Sequence, residues 1–474
     1  MRLPAIALSL ALSLHAADWD RFRGPNGSGV ADSTSVPAEF GPGKNLRWKT
    51  VLPPGHSSPI LSGSRIFLTA YEGDKLLTFS LDRETGKILW RREAPRTRKE
   101  RVDPRNSPAS PSPVSDGKNI YVFFGDYGLV SYSFDGGERW KLPLGPFDNM
   151  YGMGSSPVIA GDKVVLVCDQ THGSFIIAAG KDDGKVRWRH DRPEALSGHS
   201  TPIVWEPKPG DVQIIAPSSF RMDTYSASTG EIVWFVRGLA SEMKSVPVIG
   251  GDTIFINGYN MPENDPGRQV KLPEFAEVLA KFDTNKDGKL SIEESPDDKT
   301  KAYFPYIDLN HDGFLDAEDW RMYSLSIGAE NGLLALRPAD GRGDLTASAL
   351  KWAYRRAIPQ LPSVVLYRDV LYMINDSGIL TTLNPANGTV FKQARLRGSV
   401  DKYFASPVAA DGKVFFVSLN GTVTVLEAGP DHKVIAKNEL DDEVYSTPAV
   451  ADGRIFIRSH GALWCFAADA AKGS

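Results

Sequence analysis

Cysteine is nearly missing from this chain of 474 residues, which contains two of them, Cys168 and Cys465. Two isolated cysteines exclude a disulfide-rich scaffold, and the sequence offers no cluster of zinc ligands. Each cysteine lies within an apolar stretch that is typical of a buried strand. We therefore expect both to be core residues, able to pair only if the fold brings them together.

An excess of one charge is also missing, since 54 basic residues face 58 acidic ones and the net charge is −4. This balance argues against nucleic acid or an anionic membrane as the partner. The sequence contains neither a Gly-x-Ser-x-Gly elbow nor a phosphate-binding loop. It therefore gives no support to a hydrolase or a nucleotide-dependent enzyme.

No apolar run reaches the roughly 18 residues that a membrane-spanning helix needs. The longest run, from Leu3 to Leu14, follows Arg2 and precedes Ala16 and Ala17, the layout of a signal peptide. We predict a signal peptide over residues 1–17, export to the periplasm or the exterior, and no transmembrane segment in the mature chain. A membrane anchor is the alternative. No cysteine follows the run to accept a lipid.

Glycine and proline are abundant, with 44 and 33 residues, and they punctuate a repeated unit. Each unit has a Ser/Thr-Pro start, three short apolar strands, a glycine turn and a strand that contains tryptophan. The starts lie about 45 residues apart, apart from one long interval. They fall at Pro59, Pro113, Pro157, Pro202, Pro247, Ser363, Pro407 and Pro448.

Four short strands in a period of 40 to 50 residues are typical of a β-propeller blade. Eight starts predict an all-β, eight-bladed β-propeller. The last unit lacks a fourth strand, and residues 45–51 resemble a fourth strand without a unit of its own. We predict that this N-terminal strand closes the ring and removes the exposed sheet edge. A string of β-sandwich domains is the alternative, but no linkers separate the units.

The long interval contains an acidic insertion, predicted over residues 262–327 between the second and third strands of blade five. Two loops follow the EF-hand pattern, in which oxygen ligands at fixed positions surround calcium and a glycine permits the sharp turn. We predict two calcium ions, with a solvated acidic insertion as the alternative. The predicted ligands are Asp283, Asn285, Asp287, Lys289 through its carbonyl, Ser291, Glu294, Asp308, Asn310, Asp312, Phe314 through its carbonyl, Asp316 and Asp319.

The second loop ends in Asp319 where the first ends in Glu294, and we expect the shorter carboxylate to weaken that site or favour magnesium. A single helix should join the loops, with Ser295 as N-cap and an end before Pro305. The predicted organisation is a signal peptide (1–17), an N-terminal extension (18–44), propeller blades (45–261), the insertion (262–327) and further blades (328–469).

The blade ending over residues 82–90 reads Asp-Arg-Glu-Thr-Gly-Lys-Ile-Leu-Trp, and residues 19–30 read Trp-Asp-Arg-Phe-Arg-Gly-Pro-Asn-Gly-Ser-Gly-Val. Both resemble the quinoprotein-like eight-bladed propellers with PQQ-type repeats. That family includes pyrroloquinoline-quinone (PQQ) alcohol dehydrogenases and non-catalytic relatives such as an outer-membrane assembly scaffold lipoprotein. The vicinal cysteines of the dehydrogenases and the lipid-acceptor cysteine of the scaffold are both absent from this sequence.

The residues three before each start should ring the mouth of the channel, on the face that carries the insertion. They are His56, Ser110, Gly154, His199, Lys244, Gln360, Phe404 and Tyr445. We predict a ligand site there, with a solvated rim as the alternative and the insertion as a calcium-ordered lid or docking module. The candidate ligand-binding residues are His56, His199, Lys244, Gln360 and Tyr445.

The predicted function is an exported calcium-binding scaffold without catalytic activity, whose partner is a protein or a glycan on this face. The alternative is a PQQ-dependent, calcium-assisted alcohol or sugar dehydrogenase, although no specific motif supports PQQ.

Overall fold

A computed structural model of the chain describes residues 19–396 and 401–468. It contains eight antiparallel sheets arranged as the blades of a propeller, which confirms the predicted fold. The predicted signal peptide lies outside the described residues. Within these residues no helix is long and apolar enough to cross a membrane.

Each blade has four strands, and the innermost comes first in the chain except in the closing blade. The N-terminal strand is β1 (Leu46–Val51). Blades one to four contain, four by four, β2 (Ile60–Ser62), β3 (Arg65–Glu72), β4 (Lys75–Asp82), β5 (Ile88–Pro95), β6 (Val114–Ser115), β7 (Asn119–Phe124), β8 (Gly128–Ser133), β9 (Glu138–Pro143), β10 (Val158–Ala160), β11 (Lys163–Cys168), β12 (Phe175–Gly180), β13 (Val186–Asp191), β14 (Ile203–Trp205), β15 (Gln213–Pro217), β16 (Arg221–Ser226) and β17 (Ile232–Arg237).

Blade five differs in that a short additional strand, β21, leaves it and pairs in parallel with β17 of blade four. Blades five to eight contain β18 (Val248–Gly250), β19 (Thr253–Gly258), β20 (Gly332–Leu336), β21 (Gly343–Asp344), β22 (Leu350–Tyr354), β23 (Val365–Tyr367), β24 (Val370–Ile374), β25 (Ile379–Leu383), β26 (Val390–Arg395), β27 (Val408–Ala410), β28 (Lys413–Val417), β29 (Thr422–Glu427), β30 (Val434–Glu439), β31 (Ala449–Ala451), β32 (Arg454–Arg458) and β33 (Ala462–Ala467).

The ring closes as the sequence predicts. Strand β1 pairs antiparallel with β33, with Trp48 opposite Cys465 and Val51 opposite Ala462. The first and last described strands therefore share blade eight, and β33 is not left as an edge strand.

Neighbouring blades pack through the tryptophan of one blade and the turn glycine of the next. A Cβ atom at Gly184 would lie 2.5 Å from Trp140, and one at Gly230 would lie 2.5 Å from Trp188. The indole of Trp140 also donates to the Lys181 carbonyl at 2.8 Å. Glycine is needed at these turns because a side chain would collide with the ring and because φ is positive.

The insertion leaves blade five between β19 and β20, as predicted, and contains the helices α1 (Phe275–Phe282), α2 (Asp298–Ile307) and α3 (Ala317–Gly328). Short 3-10 helices occur at Pro25–Gly27 and Pro262–Asn264. The insertion has its own core, formed by Val278, Leu290, Phe304, Ile307, Leu315 and Trp320.

Two predictions for α2 are wrong. Its N-cap is Asp297, whose side chain accepts from the Thr300 N–H, and not Ser295. The helix also continues through Pro305, which lies in the last turn. A proline there removes one main-chain hydrogen bond, and burial of Phe304 and Ile307 on both sides of it offsets that loss.

Candidate ligand-binding mouth and calcium-binding module

The central channel opens into a cavity of about 210 Å³, and all eight residues predicted for its mouth line it. Gly154 leaves room for a neighbour, since a Cβ atom there would lie 3.0 Å from Cδ2 of His199. One predicted start is wrong by one residue: the start of blade six is Val364 and not Ser363. Ser363 occupies the place of Ser58 in blade one, because Val364 stands where other units have proline, and both Gln360 and Leu361 line the cavity.

An aromatic shelf forms one wall of the mouth. The ring of His56 stacks on Tyr445 with centroids 3.9 Å apart and an interplanar angle of 6°, and Phe404 lies 5.7 Å from Tyr445. Burial lowers the pKa of His56 to about 3, with further lowering by the charges of Arg458 and His460. His56 is therefore neutral at physiological pH.

His199 lies on the opposite wall. Its Nε2 is 3.0 Å from the Gly152 carbonyl and 3.1 Å from Oδ1 of Asn149, so it donates from this atom. Its Nδ1 is then an acceptor, and it is buried without a hydrogen-bond partner among the residues that the structure describes. Burial, followed by the charge of Lys244, lowers the pKa of His199 to about 4.

A network of charged and phenolic groups between these walls escaped sequence analysis. Lys244 pairs with Glu242 at 2.7 Å, and Tyr151 donates to the same carboxylate at 3.3 Å. Arg105 forms a two-point contact with Asp103, at 2.7 and 2.9 Å. Apart from Lys244, these residues lie in loops outside the repeated positions. Their spacing in the sequence therefore did not predict that they lie near the mouth.

Below the mouth, the Ser/Thr residues of the unit starts form a ring of hydrogen bonds that the sequence did not reveal. In each link the N–H of one blade donates to the hydroxyl of the next. The links are Ser58 to Ser112 (2.9 Å), Ser112 to Ser156 (2.9 Å), Ser156 to Thr201 (3.0 Å), Val246 to Ser363 (2.9 Å), Ser363 to Ser406 (3.0 Å), Ser406 to Thr447 (3.1 Å) and Thr447 to Ser58 (2.9 Å). We call this the hydroxyl ring.

The N-terminal segment, residues 19–31, closes the other end of the channel. Its main chain pairs with Leu61 of blade one and Ala409 of blade seven. Between these points the buried Arg21 donates to the Pro202 carbonyl at 2.6 Å, and the buried Arg23 donates to the Val364 carbonyl at 2.8 Å. Phe22 lines the cavity from this side. The cavity is therefore a cup that opens at the mouth, and we call residues 19–31 the plug.

The first EF-hand loop, residues 283–294, has the backbone that the pattern predicts. The Asp283 carboxylate accepts from Lys286 N at 2.7 Å and Gly288 N at 3.0 Å, and φ is +62° at Lys286 and +83° at Gly288. Glu294 accepts from the N–H of Ser291 and of Thr284, and these bonds lower its pKa to about 2.

The second loop, residues 308–319, repeats this geometry. The Asp308 carboxylate accepts from Gly313 N at 2.9 Å, and φ is +57° at His311 and +85° at Gly313. The two loops are joined by a main-chain bridge in which Leu290 N donates to Leu315 O at 3.0 Å and Leu315 N to Leu290 O at 2.8 Å. The loops thus form a pair of EF-hands.

The donor chemistry of both loops fits calcium, since each offers carboxylate, amide and main-chain oxygens at the spacing that ion requires. Within the part of the chain that the structure describes, no three His, Cys, Asp or Glu side chains converge as a metal site, in these loops or elsewhere. The fit therefore rests on the ligand types and on the loop backbone.

None of the described residues of the insertion lines the cup. Leu309 and Met322 pack on Leu196 and Phe220 of the propeller. His311 lies 3.2 Å from Asp148. The second loop and α3 therefore contact the propeller directly.

Fold and loops together define an eight-bladed β-propeller that carries paired EF-hands. The family described as outer membrane protein assembly factor BamB matches residues 41–150, 80–262 and 307–474, so the chain belongs to this family of PQQ-type repeats. The EF hand family matches residues 275–294. No curated protein matches the chain.

Solved structures share the fold at low sequence identity. BamB from Moraxella catarrhalis is 11% identical with a TM-score of 0.55, covering 88% of this chain and 100% of its own. A europium-containing methanol dehydrogenase is 8% identical with a TM-score of 0.60, covering 95% and 98%. The quinohemoprotein alcohol dehydrogenase ADHIIG from Pseudomonas putida HK5 is 10% identical with a TM-score of 0.56, covering 97% and 81%. These similarities establish the propeller fold, which scaffold and dehydrogenase share.

Proposed function

We propose that the protein is an exported, calcium-binding propeller that acts as a non-catalytic binding or assembly scaffold. Its partner, a protein or a glycan, docks on the face that carries both the mouth and the EF-hand pair. The observation that carries this proposal is the convergence of all eight mouth residues on one cup, closed at its far end by the plug.

The state of the polar groups supports binding over catalysis. Lys244 and Arg105, the lysine and arginine that line the cup, are engaged by Glu242 and Asp103. His56 and His199 are neutral because burial lowers their pKa values. Cys168 and Cys465 are free and buried in blades three and eight. Paired charges of this kind support a recognition surface.

The proposal includes export through the signal peptide (1–17) to the periplasm or the exterior. It also includes the division into propeller (45–261 and 328–469) and insertion (262–327). This division is supported by the 3-10 helix that begins at Pro262, and α3 ends at Gly328, one residue beyond the proposed boundary.

Calcium binding is tested by calorimetric titration of the mature protein. We expect two ions to bind, with Glu294→Gln weakening the first site and Asp319→Asn the second, each by about tenfold or more. The ligands proposed are those predicted from the sequence. Absence of calcium binding to the wild-type protein would overturn this part of the proposal.

A PQQ-dependent dehydrogenase is the second candidate, and the basic and aromatic lining of the cup is the observation in its favour. The fit is poor, because a quinone with three carboxylates needs cations that are not already committed to Glu242 and Asp103. The assay incubates the protein with PQQ and calcium and follows dye reduction with alcohols and sugars. We expect no turnover; sustained turnover would favour the dehydrogenase.

A further inference from the structure

The hydroxyl ring contains hydrogen-bond donors that the protein does not use. Six of its hydroxyls line the cup: those of Ser58, Ser112, Ser156, Ser363, Ser406 and Thr447. Each side chain is at most 3% exposed, and each oxygen already accepts a main-chain N–H. Among the described residues none of these six hydroxyls donates to a protein acceptor. Six buried O–H groups are thus left to a ligand or to water.

The chemistry of this ring selects for acceptors. A hydroxyl oxygen that accepts an N–H becomes a stronger donor, because hydrogen bonds in a chain polarise one another. Several such donors around one space in a region of low dielectric constant stabilise a negative charge without carrying a charge themselves.

The cations around the cup are already paired, so the uncharged hydroxyl donors of the ring, and not a net positive charge, would select for an anion. Arg458 and Lys244 lower the pKa values of His56 and His199 through their positive charge, beyond the effect of burial. Lys244 and Arg105 border the cup with their ammonium and guanidinium groups paired to Glu242 and Asp103. A further carboxylate, Asp376, has its pKa raised by burial. The ring therefore offers uncharged donors to one small anion, beside cations that are already paired.

We propose that the hydroxyl ring binds an oxyanion of carboxylate size that enters through the mouth. This inference rests on the proposed function and deepens it, because it assigns the recognised group. That carboxylate belongs to the docked partner or to a small free anion, and both sources present the same chemistry to the ring.

The ring supplies its own matched control. Thr447 and Thr201 each accept an N–H from the preceding blade, at 3.1 and 3.0 Å, and both are at most 3% exposed. Thr447 lines the cup and Thr201 does not. Replacing threonine by valine keeps the shape of the side chain. In both cases it removes the hydroxyl that accepts the main-chain N–H. The chain already has valine in this ring, at Val246.

The experiment is equilibrium dialysis of the mature protein with labelled succinate at constant ionic strength in chloride, with the neutral succinamide as control probe. We expect one succinate to bind and succinamide not to bind. Thr447→Val should weaken binding roughly tenfold, the cost of about one hydrogen bond to a charged group, and Thr201→Val by less than twofold. If Thr447→Val fails to fold, Ser406→Ala replaces it, because Ser406 also lines the cup.

Equal binding of succinate and succinamide, or equal effects of the two Thr→Val variants, would overturn the inference. N-acetylglutamate amide, which mimics an acidic side chain, separates the sources: binding supports a partner's carboxylate, and exclusion with retained succinate binding supports a free anion. Partner docking without succinate binding would remove this inference and leave the scaffold standing. Succinate binding without partner docking would leave this inference standing and remove the scaffold.

Discussion

The two ends of the central channel use arginine in opposite ways. At the plug, Arg23 is fully buried and donates to carbonyls of its own segment and of blade six, while burial lowers its pKa to about 9. At the mouth, Arg105 is 55% exposed and pairs with Asp103, two residues away. The arginines of the plug tie distant blades together, whereas Arg105 at the mouth pairs only with a near neighbour in the chain. The plug end holds the ring of blades closed, and the mouth end is available for binding.

The largest predicted difference between the ends is in stability. Arg23→Ala leaves a cavity and removes the donor from the Gly27 and Val364 carbonyls, so we expect a loss of about 3 kcal/mol in the free energy of unfolding. Arg105→Ala removes an exposed pair and should cost less than about 1 kcal/mol. Urea unfolding of both variants measures this. Similar losses in the two variants would contradict the distinction between the ends.

The next prediction concerns pH at the mouth. His56 stays neutral in the folded protein because burial lowers its pKa from 6.5 to about 3, whereas the unfolded chain takes up the proton near pH 6.5. The unfolded state therefore binds more protons below pH 6.5, and folding stability falls as the pH falls. At pH 5 this effect of His56 lowers the free energy of unfolding by about 2 kcal/mol relative to neutral pH.

The matched variant is His56→Phe, which keeps the ring stacked on Tyr445 and removes the titrating group. Unfolding at pH 7.5 and pH 5.0 should show a smaller loss of stability in this variant than in the wild-type protein, by about 2 kcal/mol. His199 contributes equally to both proteins. An identical pH dependence would show that His56 is not held neutral by burial.

The smallest effect is expected at Phe22, which belongs to the plug and also lines the cup. Because it is only partly buried against the core, Phe22→Ala should cost about 1.5 kcal/mol, roughly half the loss for a fully buried phenylalanine. Succinate affinity should change less than threefold, since the ring hydroxyls remain. Thermal unfolding and dialysis give the two values. An affinity loss as large as that of Thr447→Val would place the binding groups at the plug.

The repeat made much of the propeller predictable. A tryptophan and a turn glycine recur because each blade must pack on the next, and the unpaired strand at Leu46–Val51 indicated how the ring closes. The mouth residues were found because positions related by the repeat lie at the same height in a propeller. The EF-hand loops were found because calcium fixes the ligand spacing.

What the sequence did not predict depends on contacts between non-repeated parts. Arg105 and Tyr151 reach the mouth from loops of irregular length. The plug crosses the channel through side-chain contacts that cannot be predicted from the spacing of residues in the sequence. Proline in the last turn of α2 is tolerated because of packing inside the insertion. The docking of Leu309 and Met322 on the propeller likewise follows from shape, which the sequence pattern did not indicate.

The central claim is that the mouth face binds a partner when calcium orders the adjacent module. The most direct measurement places a photo-crosslinking residue at Gln360 in the mouth or at Lys87, an exposed residue in a turn at the opposite face, in cells that produce the protein. We expect a defined adduct from Gln360 that disappears with a calcium chelator or with Glu294→Gln, and none from Lys87. Equal adducts from both positions, or an adduct from Gln360 that is independent of calcium, would contradict it.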